Sequence, residues 1–247
     1  MEKKVRTLFS PMRSGSTLVL HCLSQHPNIS CISGTIKKSP ILRSEDIFWQ
    51  DVLSWKHDNN FLFVKNTYDK NVYYPFSDST IIPIVKPVFL FRDPVQTINS
   101  IILKKFMSSN ITDAIKAYKE GAYASYIKAK SVSPNNTRCI TYETLSEQPE
   151  DVFKKLLRFW GIPWHPYVIN WPEPFSEKTF CNDIPTHQKD IKNAIQENHH
   201  DTLVNSNQII PQHNNKIILS PNDINLIKTE LQCLYDQVKS EDLIYEK

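Results

Sequence analysis

Val5-Arg6-Thr7-Leu8-Phe9-Ser10-Pro11-Met12-Arg13-Ser14-Gly15-Ser16-Thr17 is the stretch on which the fold turns. Val5 to Ser10 forms a short strand candidate that runs straight into a tight loop at Pro11 to Thr17. Residues 16–26 then take helical spacing, with Leu18 and Cys22, and Val19 and Leu23, paired at i,i+4. Strand, tight loop and helix make the first half of a βαβ unit. Such a loop also has a chemistry. A helix N-terminus offers unpaired backbone N–H groups and about half a positive charge. One glycine, Gly15, lets that backbone close around a phosphate. Arg13 adds a guanidinium for paired oxygen contacts, and Ser14, Ser16 and Thr17 add hydroxyl donors. The first glycine and the lysine of a Walker A loop are both missing, which disfavours a standard ATP–Mg²⁺ grip.

Working outward, the same alternation continues. Ile29 to Ile32, Phe61 to Val64, Val88 to Phe91 and Arg138 to Thr141 are strand candidates, the second ending at Lys65 and the third at Arg92. Asp93 can cap a helix that starts at Pro94, with Val95, Ile98, Ile101, Ile102 and Phe106 on its apolar stripe. Further helices are predicted within Ser39 to Trp55 and over Ile111 to Ser131, Pro149 to Phe159 and Pro221 to Lys239. Strands alternating with helices argue an α/β fold: a single domain, residues 1–247, with a central parallel sheet flanked by helices. Between Ser176 and Asn215 polar residues dominate, and a lid-like excursion is expected there.

Composition narrows the function. Only 4 of 247 residues are glycine, against a usual share of roughly 7%, and they stand apart at 15, 34, 121 and 161. That excludes a dinucleotide fingerprint of three close glycines. A net charge of +3 is too mild to argue for nucleic acid. Five scattered cysteines with no C-x-x-C pair point to reduced thiols and a cytoplasmic protein, and no metal-ligand spacing occurs among the cysteines or histidines. Pro11, Arg13 and His21 interrupt the only stretch that resembles a leader, and no apolar run reaches membrane-spanning length, so neither an export signal nor a membrane span is expected.

A second constellation completes the candidate site. Arg92 stands where the Val88–Phe91 strand ends, and Ser100 follows eight residues on, off the apolar stripe of the helix capped by Asp93. In open α/β sheets the crevice beyond the carboxyl ends of the strands is where ligands bind.

Together these segments resemble the sulfotransferase family, which uses 3′-phosphoadenosine-5′-phosphosulfate (PAPS). Pro-Met-Arg-Ser-Gly-Ser-Thr at 11–17, followed by a helix ending at His26-Pro27, is similar to the family's 5′-phosphosulfate loop. Phe91-Arg92-Asp93-Pro94 with Ser100 is similar to its 3′-phosphate motif, and Tyr142-Glu143-Thr144-Leu145 with the helix to Gly161-Ile162-Pro163-Trp164 to a recurrent later segment. Lys65 sits where many members place a lysine. The Arg-Ser-Gly-Ser-Thr form is nearer the tyrosylprotein and carbohydrate branches than the small-phenol branch.

The resemblance implies the following roles. Arg13 and the backbone of Ser14, Gly15, Ser16 and Thr17 would hold the 5′-phosphosulfate, and Arg92 and Ser100 the 3′-phosphate. Tyr142 would lie near the adenine, and Lys216 in a segment closing on the nucleotide. Lys65 would approach the transferring sulfuryl group. The implied activity is transfer of a sulfuryl group from PAPS to a hydroxyl or amine of a small-molecule, carbohydrate or peptide acceptor, releasing adenosine 3′,5′-bisphosphate (PAP), with no metal required. The departure concerns the base. The tyrosylprotein branch carries a glutamate soon after the first helix, where this chain reads Ser33-Gly34-Thr35. Glu45, Asp46, Asp51 and His57 are the next candidates, and Glu45 is taken as the base. The rival readings are a P-loop kinase using ATP and a nucleotide-binding module without catalytic activity.

Overall fold

The computed structural model describes residues 4–33, 59–68, 76, 79–105, 110–172, 207–210 and 216–246. Five strands, β1 (Lys4–Pro11), β2 (Ile29–Ser33), β3 (Phe61–Tyr68), β4 (Val88–Phe91) and β5 (Arg138–Thr141), form one parallel sheet in the order β2-β3-β1-β4-β5. All five lie where the sequence predicts strands. β1 and β2 run one residue further than expected at their ends, and β3 continues well past Lys65, because Asn66, Thr67 and Tyr68 pair with Phe9, Ser10 and Pro11. Lys65 thus stands within the strand, opposite Leu8, rather than at its end.

Both faces of the sheet are buried, which is why its strands are apolar runs rather than alternating ones. Leu8, Phe63, Leu90 and Ile140 face a core closed by α1 (Ser16–Ser24) and α7 (Pro149–Trp160). Val5, Phe9, Leu62, Val64, Phe89 and Phe91 face a second core. It is closed by α3 (Pro94–Leu103), by the helical rod 111–132 and by α8 (Pro221–Ser240). Short helices α2 (Ile82–Val85) and α6 (Tyr142–Glu147) were not legible in the sequence.

The rod predicted as one helix over Ile111 to Ser131 is continuous but not uniform. It runs as α4 (Ile111–Lys116), a π-helical stretch Ala117–Tyr123, and α5 (Ala124–Val132). Within the wide turns Gly121 lies against Tyr68, where an added Cβ would come within 3.0 Å of the ring.

Local chemistry fixes the ends of the flanking helices. Asp93 caps α3 by accepting the Gln96 N–H at 2.9 Å, and Ser220 with Asp223 forms a capping box on α8. Helix α7 stops at Gly161 (φ 70°) in a Schellman turn, with Ile162 N–H on Leu157 O at 2.8 Å. Two further terminal carbonyls of α7 are taken by buried or half-buried cations. Arg6 Nε donates to Trp160 O at 2.8 Å and Lys86 Nζ to Phe159 O at 3.0 Å. Burial lowers the Arg6 guanidinium to about 10. At the chain's end, buried Asp242 accepts from Thr141 N–H, Thr141 Oγ1 and Thr144 Oγ1, all within 2.7–2.8 Å. This ties the C-terminus to the exit of β5. The helix expected within 39–55 lies outside the described residues, as does the expected lid at 176–215 apart from 207–210.

Candidate active site

The strand order places two loops side by side. From β1 the chain passes to β2 on one side of the sheet, and from β4 it passes to β5 on the other. The helices that follow β1 and β4 pack on opposite faces. Loops 12–15 and 92–93 therefore flank the crevice where the winding reverses, the position at which open α/β sheets bind ligands.

In the first loop two consecutive features are unusual. Arg13 holds a left-handed backbone (φ 65°) and Gly15 another (φ 94°). A Cβ at Gly15 would meet Cδ2 of Tyr142 at 2.5 Å, so only glycine fits both the angle and the contact. Gly15 caps α1 without a side-chain hydrogen bond, and no acid occupies the first turn. The Ser14 hydroxyl is fully buried and has no hydrogen-bond partner among the described residues.

The two motifs touch. Arg13 Nε donates to Ser100 Oγ at 3.1 Å, and Arg92 Nη1 reaches Arg13 O at 3.5 Å. The Arg92 guanidinium lies 4.5 Å from the centre of the Tyr142 ring, so that ring is held between Arg92 and Gly15. Ser100 and Tyr142 are both nearly buried. On the α1 side of the sheet, Lys65 Nζ donates to Thr17 Oγ1 at 3.3 Å. Burial and then Arg92 push the Arg13 guanidinium down to about 10. Burial and then Arg13 push the Lys65 ammonium down to about 8. Each cation thus raises the cost of its neighbour, and the crevice holds a concentrated positive potential.

The sequence-predicted residues sort accordingly. Arg13, Ser14, Gly15, Ser16, Thr17, Lys65, Arg92, Ser100 and Tyr142 fall on the two loops and the first turns of α1 and α3, or directly against them. Lys216 is exposed, but its backbone is tied to α3: Asn99 Nδ2 donates to Lys216 O at 3.0 Å, and Ile218 N–H donates to Asn99 Oδ1 at 2.9 Å. Glu45, Asp46, Asp51 and His57 lie outside the described residues. Asn99, Tyr118 and Glu143 were missed as site residues. Tyr118 donates its hydroxyl to Arg92 O at 3.0 Å, and Glu143 accepts the Asp93 N–H at 3.1 Å. The proximity of Glu143 to Tyr142 was the available signal.

Comparison with known proteins bears on the fold and on part of the sequence. Residues 79–166 match the sulfotransferase family, a span that includes Arg92, Ser100 and Tyr142 and begins after Arg13 and Lys65. Over 98 residues the chain is 24% identical to a protein-tyrosine sulfotransferase of Drosophila melanogaster, covering 38% of this chain and 20% of that protein. The match therefore spans about a fifth of the length of that curated relative. In fold, the chain is similar to a mouse sulfotransferase complexed with PAP, at 13% identity and TM-score 0.52, covering 97% of this chain and 90% of that one. A sulfotransferase from Alicyclobacillus acidocaldarius is similar at 12% identity and TM-score 0.52, covering 100% and 98%. The family match covers the crevice motif at 91–100 and the segment at Tyr142 but not the loop at 11–17, and the two solved structures show a shared fold. Among the described residues, no helix is long and apolar enough to cross a membrane.

Proposed function

We propose that this chain is a PAPS-dependent sulfotransferase. The observation that carries the proposal is the contact between Arg13 Nε and Ser100 Oγ, which joins a one-glycine anion loop to a second cationic motif across a single crevice. A nucleotide bearing phosphates at both its 5′ and 3′ positions suits two such motifs side by side. Among the described residues the buried hydroxyl of Ser14 and the buried Nε of Arg92 have no hydrogen-bond partner, and an oxyanion would supply one.

On this reading Arg13 and the backbone of residues 14–17 hold the 5′-phosphosulfate. Arg92 and Ser100 hold the 3′-phosphate, and Tyr142 keeps the two loops apart at a fixed distance. The segment at Lys216 borders the same nucleotide through Asn99. In the reaction, the bond between sulfur and the bridging phosphate oxygen breaks, and a bond from sulfur to the acceptor oxygen or nitrogen forms. PAP leaves with the bonding electrons, and the acceptor gives up a proton. Charge grows on the leaving oxygen, where fixed cations in a water-poor crevice are worth most. Lys65 and Arg13 are the cations assigned to that charge, and Glu45 is assigned to the acceptor's proton on sequence alone.

The weak similarity to a protein-tyrosine sulfotransferase favours a tyrosine-bearing peptide as the first acceptor to try. A cytoplasmic setting is proposed on the five scattered cysteines, which include no C-x-x-C pair. The kinase reading is not favoured, because the loop lacks the Walker lysine. Incubation with ³⁵S-labelled PAPS and a panel of tyrosine peptides, carbohydrates and small phenols tests the proposal. Label transfer with equimolar PAP release is expected. PAP binding with no transfer to any acceptor would leave only a nucleotide-binding module.

A further inference from the structure

One carboxylate close to the crevice has no role in the reading above. Glu143 Oε1 accepts the backbone N–H of Asp93 at 3.1 Å, and its Oε2 accepts the Tyr235 hydroxyl at 2.5 Å. Asp93 directly follows Arg92 and caps α3, which carries Ser100. Glu143 itself directly follows Tyr142, whose ring lies against the Arg92 guanidinium. The dipeptide Tyr142-Glu143 therefore grips Arg92 at two points, the side chain through the ring and the following amide through the carboxylate. A third hold comes from Tyr118 Oη and Thr97 Oγ1, which donate to Arg92 O at 3.0 and 3.4 Å.

Tyr235 belongs to α8, and the chain leading into α8 is bound by Asn99 one residue before Ser100. The C-terminal helix thus reaches the start of α3 through Tyr235 and Glu143, and the chain leading into it reaches Asn99 within α3. These two contacts fall at Asp93 and Asn99, one residue after Arg92 and one residue before Ser100. We infer that Glu143, pinned by Tyr235, is a positioning residue that sets the aim of Arg92 and so selects nucleotides bearing a 3′-phosphate. Burial first, and then Glu143, push the Tyr235 phenol well above its usual range, so it remains a donor to the carboxylate.

This inference rests on the proposed function, and the test separates the two. Affinities for PAP and for adenosine 5′-monophosphate are measured by titration calorimetry on the unaltered protein and on Tyr235→Phe, Glu143→Ala and Glu143→Gln. A bond holding the fold alone would, when lost, weaken both ligands alike. A bond that aims Arg92 would weaken only the ligand that Arg92 touches. Tyr235→Phe and Glu143→Ala are expected to lower PAP affinity about tenfold, in line with loss of a charge-assisted hydrogen bond, with adenosine 5′-monophosphate changed less than about twofold. Glu143→Gln, which keeps an acceptor for Asp93 N–H, is expected to recover most of the loss. Tyr235→Phe removes one hydroxyl and carries the test if Glu143→Ala fails to fold. Equal losses for both ligands, or no change in either, overturn the inference and leave the proposed function standing. An unaltered protein that binds PAP no more tightly than adenosine 5′-monophosphate overturns both.

Discussion

Lys65 Nζ lies 3.3 Å from Oγ1 of Thr17, so a lysine from within a central strand reaches the first turn of the helix that follows the anion loop. Its ammonium is held near 8 by burial and by Arg13, against an ordinary value of 10.5. A bound polyanion stabilises the charged form and raises that value again. PAP affinity should therefore fall as pH rises from 7 to 9, with proton uptake on binding above pH 8. Titration calorimetry in buffers of different ionisation enthalpy reads both, and Lys65→Met should abolish the uptake. In the free protein the sign is the reverse of a stabilising pair. Between about 8 and 10.5 the unfolded chain holds this proton and the folded chain does not, so folding stability from Lys65 rises with pH across that window.

Turnover should be more sensitive than binding at the same residue. Lys65→Ala is expected to lower the rate of sulfuryl transfer by about 10²–10³-fold, the usual loss for one donor aimed at developing charge. Its effect on PAP affinity should be about tenfold or less. Unchanged turnover in steady-state assays would remove Lys65 from the chemistry.

Two glycines with positive φ should respond differently to alanine. At Gly15 the new Cβ meets Tyr142 Cδ2 at 2.5 Å, while at Gly161 it meets nothing within 4 Å among the described residues. Gly161→Ala should cost only the backbone penalty of about 1–2 kcal/mol and leave PAP affinity intact. Gly15→Ala should displace Tyr142 and weaken PAP binding by more than about tenfold. Chemical denaturation and nucleotide titration together check the contrast, and equal effects on binding would contradict it.

Asp242 should matter for stability well away from the crevice. Its carboxylate takes three donors from Thr141 and Thr144 and the Ile244 N–H at 3.0 Å. Asp242→Ala orphans them in a buried place, with an expected loss of about 3 kcal/mol in urea denaturation. A loss below about 1 kcal/mol would show that solvent fills the gap.

Much of this frame is written locally. Apolar runs too short for helices gave the five strands, and Asp93-Pro94 marked the start of α3. Arg92 and Ser100 could be placed in the crevice because the strand's end and the helix's stripe fix where each points. Asn99, Tyr118 and Tyr235 could not, since their partners are Lys216, Arg92 and Glu143, distant in the chain and joined only by packing. The same holds for β3, whose last residues are polar and pair because β1 continues beside them. The π-helical turns at Ala117–Tyr123 share the apolar spacing of an ordinary helix closely enough that periodicity does not separate them.

The most direct test is a calorimetric comparison of PAP, adenosine 5′-monophosphate and ATP–Mg²⁺ on the unaltered protein and on Arg92→Ala. PAP is expected to bind tightest to the unaltered protein. Arg92→Ala should reduce that affinity by about 10–100-fold, leaving adenosine 5′-monophosphate nearly unchanged. ATP–Mg²⁺ binding more tightly than PAP, or equal losses for PAP and adenosine 5′-monophosphate in Arg92→Ala, would contradict a site built for a 3′-phosphorylated sulfuryl donor.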